Sequence, residues 1–316
     1  MSRPHLVVIP AVPDVVLARL RERADVTDVS SMPRAEWGAA LADATGVLGG
    51  SGVPIDAAFL AQAPALRIVA MQSVGYDSVD LAALRERGVV LTNSRGSLTE
   101  AVADTAYWLV TAALRDYGRS MAWARDGRWL REGDAPYGHD LQGATLGIVG
   151  LGAIGAAVAR RAQAGGMRVI YSNRHPRTDD AATGAAYRTF DQLLAEADCV
   201  VALVPLTPQT RRMFDAAAFA RMKPTAYFVN AARGAVCDTA ALLKALERKQ
   251  IAGAALDVTD PEPLPPDHPL FAREDVLIVP HVGSATVETR TRMAMLAAEN
   301  LLAFIDGKPL LTPVEV

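Results

Sequence analysis

Short apolar runs alternate with amphipathic stretches along the whole chain. Residues 6–10 (LVVIP), 46–50 (GVLGG), 67–73 (RIVAMQS) and 89–93 (VVLTN) are too short for buried helices. They read as parallel strands buried on both faces. Between them VVLARLRERA, PIDAAFLAQAP and DLAALRERG repeat apolar residues at helical spacing. A strand that ends at small residues and feeds a helix, over and over, predicts a doubly wound α/β sheet.

Residues 98–124 break this rhythm with one long helical pattern, followed by a loop rich in Gly and aromatics, RDGRWLREGDAPYGHDLQG. The rhythm restarts at 145–150 (TLGIVG), 168–172 (RVIYS), 199–204 (CVVALV), 226–230 (AYFVN), 253–258 (GAALDV) and 276–280 (VLIVP). After 283, ATVETRTRMAMLAAENLLAFIDG reads as one amphipathic helix ending at Gly307. The pattern therefore predicts two α/β units joined by a long helix.

Composition narrows the function classes. A chain of 316 residues is comfortable for two domains, and 51% hydrophobic with 21% charged residues is ordinary for a globular protein. A net charge of −3 and a pI near 6.0 argue against a nucleic-acid partner. The longest apolar stretch, AYWLVTAAL at 106–114, falls short of the roughly 20 residues that span a bilayer. The N-terminus lacks the apolar core and cleavage site of a signal peptide, so a soluble, cytoplasmic protein is expected. Cys199 and Cys237 sit in apolar surroundings without metal spacing; they read as small buried hydrophobes, and no metal site is expected.

The stretch TLGIVGLGAIGAAVARRAQAGGMRVIYS carries Gly150, Gly152 and Gly155 between a strand and a helix. The first glycine permits the tight turn, the second lets backbone approach a pyrophosphate, and the third brings helix and strand together. The helix N-terminus then offers unpaired N–H groups to the phosphates. A carboxylate after the next strand would hold the ribose of NAD and repel a 2′-phosphate. Here that place is YSNRHPR. Asn173 keeps a neutral ribose partner, while Arg174 and Arg177 can pair with a phosphate dianion. NADP(H) is the expected cofactor, with NAD(H) as the alternative.

Three polar residues follow apolar runs downstream. Arg233 follows AYFVN in a small-residue loop, Glu262 lies in the proline-stiffened DPEPLPP, and His281 follows VLIVP. In open α/β sheets ligands bind beyond the carboxyl ends of the strands, where all three can converge. Reduction of a 2-keto acid needs a hydride at carbon, a proton at oxygen and a cation to polarise the carbonyl. His281 is suited to donate the proton, Glu262 to orient and charge it, and Arg233 to grip carboxylate and carbonyl with its planar fork.

With these residues in place the chain resembles the D-isomer-specific 2-hydroxyacid dehydrogenases over essentially its whole length. The matching motifs are SVGYDSVDL, GLGAIG, NAARGAVCDTAAL, ALDVTDPEPLP and PHVGSAT. Within that family it is most similar to the glyoxylate/hydroxypyruvate reductases. The resemblance implies an α/β fold of two Rossmann-like doubly wound parallel-sheet domains with a cleft between them. It assigns residues 1–96 plus 285–316 to a flavodoxin-like substrate domain and 97–284 to the NAD(P)-binding domain. It gives Arg233, Glu262 and His281 the catalytic roles just argued, and extends the cofactor contacts of the glycine turn to Ala153 and Ile154. Backbone N–H groups of Val74 and Gly75 would hold the substrate carboxylate, as adjacent amides can. Leu203, Pro205 and Thr210 would line the adenosine side; Ala231, Asp257 and Gly283 would lie near the nicotinamide. It also implies a homodimer, with Trp129 in the segment that reaches the partner.

The resemblance leaves rivals. Related enzymes reduce larger 2-keto acids such as 2-ketogluconate or aryl pyruvates. A non-catalytic NAD(H)-sensing corepressor can keep the same fold and the same three residues. Formate dehydrogenases pair the histidine with an amide, so Glu262 speaks against them.

Overall fold

The structure is a computed structural model that describes residues 3–178 and 183–316. The chain divides into two units, Met1–Leu98 with Ala285–Val316, and Thr99–Ser284.

The first unit is built on five parallel strands, β1 (His5–Val8), β2 (Asp25–Asp28), β3 (Gly46–Gly49), β4 (Ile68–Met71) and β5 (Val90–Thr92). Their spatial order, β5-β4-β3-β1-β2, is the doubly wound flavodoxin-like arrangement. A terminal strand, Pro313–Val314, adds an antiparallel edge beside β5. One face of the sheet is covered by the helices Asp14–Arg21 and Val287–Ile305, through Val16, Leu20, Ala294 and Leu301. Trp37, Phe59, Leu60 and Leu84 cover the other. Buried Asn300 fastens the chain end: its Oδ1 accepts from Leu311 N (3.0 Å) and Thr312 N (3.2 Å).

The second unit carries seven parallel strands: β6 (Thr145–Val149), β7 (Arg168–Ser172), β8 (Ala186–Tyr187), β9 (Cys199–Ala202), β10 (Tyr227–Asn230), β11 (Gly253–Leu256) and β12 (Val276–Ile278). The order β12-β11-β10-β9-β6-β7-β8 is the Rossmann arrangement, with its topological switch point between β6 and β9. Helices Thr99–Leu114 and Ala153–Ala164 pack one face around Leu109, Val158 and Tyr171. The other face is filled by Leu193, Phe214, Phe219 and Phe228. The inner strands, such as β6, β9, β10 and β11, are apolar because both of their faces are buried, which is why their runs carry no alternation.

The pattern reading needs three amendments. The helix expected over 98–124 is two helices, Thr99–Leu114 and Tyr117–Arg125, broken at Asp116 with φ 51°. Aspartate tolerates this left-handed conformation better than most residues because its side chain bonds locally. Asp116 Oδ2 lies 3.2 Å from Arg119 Nε. The loop after it holds a short helix, Arg128–Glu132, whose Arg128 stacks 4.2 Å from the Trp123 ring. The edge strands β2, β8 and Pro313–Val314 escaped the pattern because they carry no apolar run. Among the described residues, no helix is long and apolar enough to cross a membrane.

Candidate active site

Register gathers the functional residues of the second unit. Val149 pairs with Ser172 and Ala202, Ala202 with Asn230, Asn230 with Leu256, and Leu256 with Ile278. The next residues, Gly150, Asn173, Leu203, Ala231 and Asp257, therefore leave the sheet along one carboxyl edge that includes the switch point.

At that edge the glycine turn has the shape its spacing predicts. Gly150 has φ +104°, and a Cβ there would meet Leu203 C at 2.8 Å. A Cβ on Gly155 would lie 2.5 Å from Gly150 O, so the helix could not close on the strand. A Cβ on Gly152 would meet no protein atom within 4 Å. The first and third glycines are thus required by protein contacts, and the second is not. Its missing side chain instead bares the backbone at the N-terminus of helix Ala153–Ala164, where Ala153 is exposed and Ile154 half-buried. A pyrophosphate fits such a cradle, because the N–H groups of the first helical turn have no intrahelical acceptors.

The loop after β7 is tied to the turn. Asn173 Oδ1 accepts from Leu151 N at 2.7 Å, and Arg177 Nη1 donates to Leu151 O at 2.9 Å. The hydroxyl of fully buried Tyr171 accepts from Arg177 N at 2.8 Å. Arg174 is exposed. Asn173 and Arg177 therefore brace the turn.

Arg233 ends the loop that follows β10. Buried Asn230 organises this loop, its Oδ1 accepting from Ala232 N (3.1 Å) and its Nδ2 donating to Arg233 O (3.0 Å). Gly234 lets it press against the next loop: a Cβ there would sit 1.8 Å from Thr259 O. In that next loop Glu262 Oε2 accepts from Thr259 N at 3.2 Å, and Glu262 Oε1 lies 2.6 Å from His281 Nδ1. His281 itself is left-handed, with φ 52°. Half-buried Arg233 also donates from Nη1 to Ala232 O at 2.8 Å. Arg233, Glu262 and His281 thus leave three neighbouring strands at the same edge as the glycine turn, and two of them are hydrogen-bonded to each other.

Asp257 is 3% exposed, and its carboxylate accepts from Val282 N (2.7 Å) and Gly283 N (3.1 Å). Burial pushes this carboxyl up from the usual range, against the opposing pull of those N–H groups and of His281. Leu203 N bonds back to Val149 O at 2.8 Å, and Ala231 N to Ala202 O at 3.3 Å. The Thr210 hydroxyl closes its own loop by donating to Pro205 O at 2.6 Å. In the first unit, Val74 and Gly75 follow β4. Their carbonyls are taken by Asn93 Nδ2 (2.9 Å) and Ser73 Oγ (2.7 Å), which fixes the turn of the peptide planes. Asn230, Asn93 and Ser73 were not singled out in the sequence. Asn230 did carry a signal, as a polar residue ending an otherwise apolar strand. The two cysteines are buried, and burial pushes both thiols well up from the ordinary range.

A parallel sheet with a glycine cradle at its switch point, and an Arg with a His–Glu pair on the same edge, is the arrangement of a nicotinamide-binding protein equipped for oxidoreductase chemistry. Comparison with known proteins narrows the class. Residues 107–283 match the NAD-binding domain of the D-isomer specific 2-hydroxyacid dehydrogenases. The chain is 47% identical over 258 residues to a glyoxylate reductase of Korarchaeum cryptofilum, covering 81% of this chain and 78% of that protein. It is 42% identical over 312 residues to glyoxylate/hydroxypyruvate reductase B of Escherichia fergusonii, covering 96% of each. It superposes, at TM-score 0.88 and 36% identity, on an NADPH-dependent glyoxylate/hydroxypyruvate reductase of Sinorhizobium meliloti solved with NADP and malonate. That match covers 99% of this chain and 97% of the other. The chain belongs to the D-isomer specific 2-hydroxyacid dehydrogenase family and is an NAD(P)-dependent oxidoreductase.

Proposed function

We propose that the protein is an NADPH-preferring reductase of small 2-keto acids, with glyoxylate and hydroxypyruvate as its substrates. The observation that carries this reading is the 2.6 Å His281–Glu262 pair at the same strand edge as the glycine cradle. The names of the similar reductases support the substrate class.

A dihydronicotinamide nucleotide, when bound in the glycine cradle, would supply the hydride for the keto carbon. Glu262 engages Nδ1 of His281, which leaves Nε2 to give a proton to the substrate oxygen. Because Glu262 is itself held by Thr259 N, the imidazole is oriented through two successive hydrogen bonds. Arg233 would pair with the substrate carboxylate and polarise the carbonyl, and the family resemblance assigns the N–H groups of Val74 and Gly75 to the substrate carboxylate. On the cofactor side Gly150, Gly152, Ala153, Ile154 and Gly155 cradle the pyrophosphate. Asn173, Arg174 and Arg177 receive the 2′-phosphorylated ribose. Leu203, Pro205 and Thr210 border the adenosine, and Ala231 and Gly283 the nicotinamide. The NADPH preference is supported by the absence of a carboxylate at Asn173 and by Arg177 lying against the glycine turn.

A homodimer is part of the proposal. Met121, Trp129, Leu130 and Tyr137 are 62%, 67%, 93% and 88% exposed, and this run of exposed large apolar side chains supports the reading. Sedimentation of the wild type and of Leu130→Lys checks it; an unshifted monomer in both contradicts it. The activity is tested by kcat/KM for glyoxylate, hydroxypyruvate, 2-ketogluconate and phenylpyruvate with each nucleotide. Highest values for the two small acids with NADPH are expected. Tight nucleotide binding without turnover of any of them would leave a sensing protein.

A further inference from the structure

We infer that Asp257 is a positioning residue whose buried carboxylate, seated against the backbone N–H groups of Val282 and Gly283, holds the proton donor His281 in its left-handed conformation. The inference rests on the reading of His281 as proton donor.

Asp257 follows β11 and His281 follows β12, and the two strands pair in parallel with Leu256 opposite Ile278. That register brings the two residues to the same edge. Three successive amides then turn toward Asp257. His281 N donates to the Asp257 carbonyl oxygen at 2.8 Å, Val282 N to Oδ1 at 2.7 Å, and Gly283 N to Oδ2 at 3.1 Å. Consecutive amides wrapped around an anion form a nest, a concave arrangement that a left-handed residue helps to create. Here the left-handed residue is His281, φ 52°, a conformation uncommon for residues with a Cβ. The carboxylate favours it, because turning His281 back to a common conformation would pull two amides off it.

Burial makes the arrangement rigid. At 3% exposure Asp257 has little access to water, so a charge there stands only while its acceptor capacity is used. Gly283 fits the same picture, since a Cβ on it would stand 2.9 Å from Asp257 Oδ2 and force the carboxylate away. The resemblance placed Asp257 near the nicotinamide. Both of its carboxylate oxygens accept from amides of the His281 turn, and the two roles separate experimentally.

The test is Asp257→Asn in the full-length enzyme with NADPH and glyoxylate. An amide keeps the shape but turns an NH2 donor toward one of the two N–H groups. The inference expects kcat to fall about tenfold or more while the Kd of NADPH, from fluorescence titration, stays within about twofold. The solvent deuterium isotope effect on kcat should rise, because only proton transfer has been misaligned. A Kd raised about tenfold with kcat at saturating NADPH unchanged would overturn it and return Asp257 to the cofactor. Unchanged kcat and Kd would overturn it too. Should Asp257→Asn fail to fold, Gly283→Ala carries the same test, with kcat expected to fall while the Kd of NADPH stays within about twofold, and an unchanged kcat or a Kd raised in its place overturning the inference. His281→Ala run alongside separates the two readings. If it keeps its kcat, the proton-donor reading fails; if it loses kcat while Asp257→Asn does not, the positioning inference alone fails.

Discussion

Replacing Glu262 with Gln isolates the charge of the Glu262–His281 pair, proposed as catalytic, from its shape. One carboxylate oxygen contacts His281 Nδ1 at 2.6 Å and the other accepts from Thr259 N at 3.2 Å. A glutamine can satisfy one of these partners with its carbonyl, but its NH2 must then face the other. If the carbonyl stays on Thr259, the NH2 turns to Nδ1 and the imidazole is held without its charge. Two unit charges about 4 Å apart attract by roughly 1 kcal/mol in water and roughly 4 kcal/mol near a protein surface. The side chains of His281 and Glu262 are 42% and 40% exposed, so screening is substantial and the lower half of that range applies. A loss of about 2 kcal/mol in the transition state corresponds to about a thirtyfold fall in kcat. The assay is steady-state reduction of glyoxylate at saturating NADPH, with nucleotide affinity measured separately. Since Glu262 acts on the imidazole, the Kd of NADPH should not move. A kcat within about twofold of wild type would refute the role given to the pair.

Arg174→Ala should raise KM for NADPH about tenfold, roughly 1.4 kcal/mol, and leave NADH unchanged; an equal loss for both nucleotides would return Arg174 to a solvated loop charge. Asn230→Ala strips partners from Ala232 N–H and Arg233 C=O in a buried loop. It should cost about 1–3 kcal/mol of stability and raise KM for the keto acid more than KM for NADPH, which thermal melts and kinetics together check. Asp198 offers a pH test away from the site. Burial works to raise its carboxyl, but Lys223 at 2.8 Å and the Thr145 N–H at 2.8 Å outweigh it, and the net direction is down. A carboxyl lowered on folding stabilises above its unfolded range and loses that contribution as pH falls through its folded value. Asp198→Asn should therefore melt lower than wild type at neutral pH by about 1 kcal/mol, allowing for partial exposure, and the gap should close in acid. A gap independent of pH would contradict this.

Much of this was legible because buried parallel strands announce themselves. TLGIVG and CVVALV are unbroken apolar runs, and their ends mark where ligand-facing residues begin. Arg233 and His281 stood out for the same reason, each just past such a run, and Glu262 through its proline-rich frame. What stayed hidden depends on partners distant in the chain. Asp257 meets Val282 and Gly283 through the pairing of β11 with β12, and Arg177 meets Leu151 across the glycine turn. The break at Asp116 was invisible because Leu114, Arg115 and Tyr117 are all compatible with helix, and the left-handed turn is imposed locally. The edge strand β2, Asp25–Asp28, has no apolar run because it meets a neighbour on one side alone.

The configuration of the product tests the central claim most directly. Hydroxypyruvate reduced with NADPH by the wild-type enzyme should give D-glycerate in amounts equal to the NADPH consumed. L-glycerate, or no consumption of NADPH with hydroxypyruvate or glyoxylate, would contradict the account.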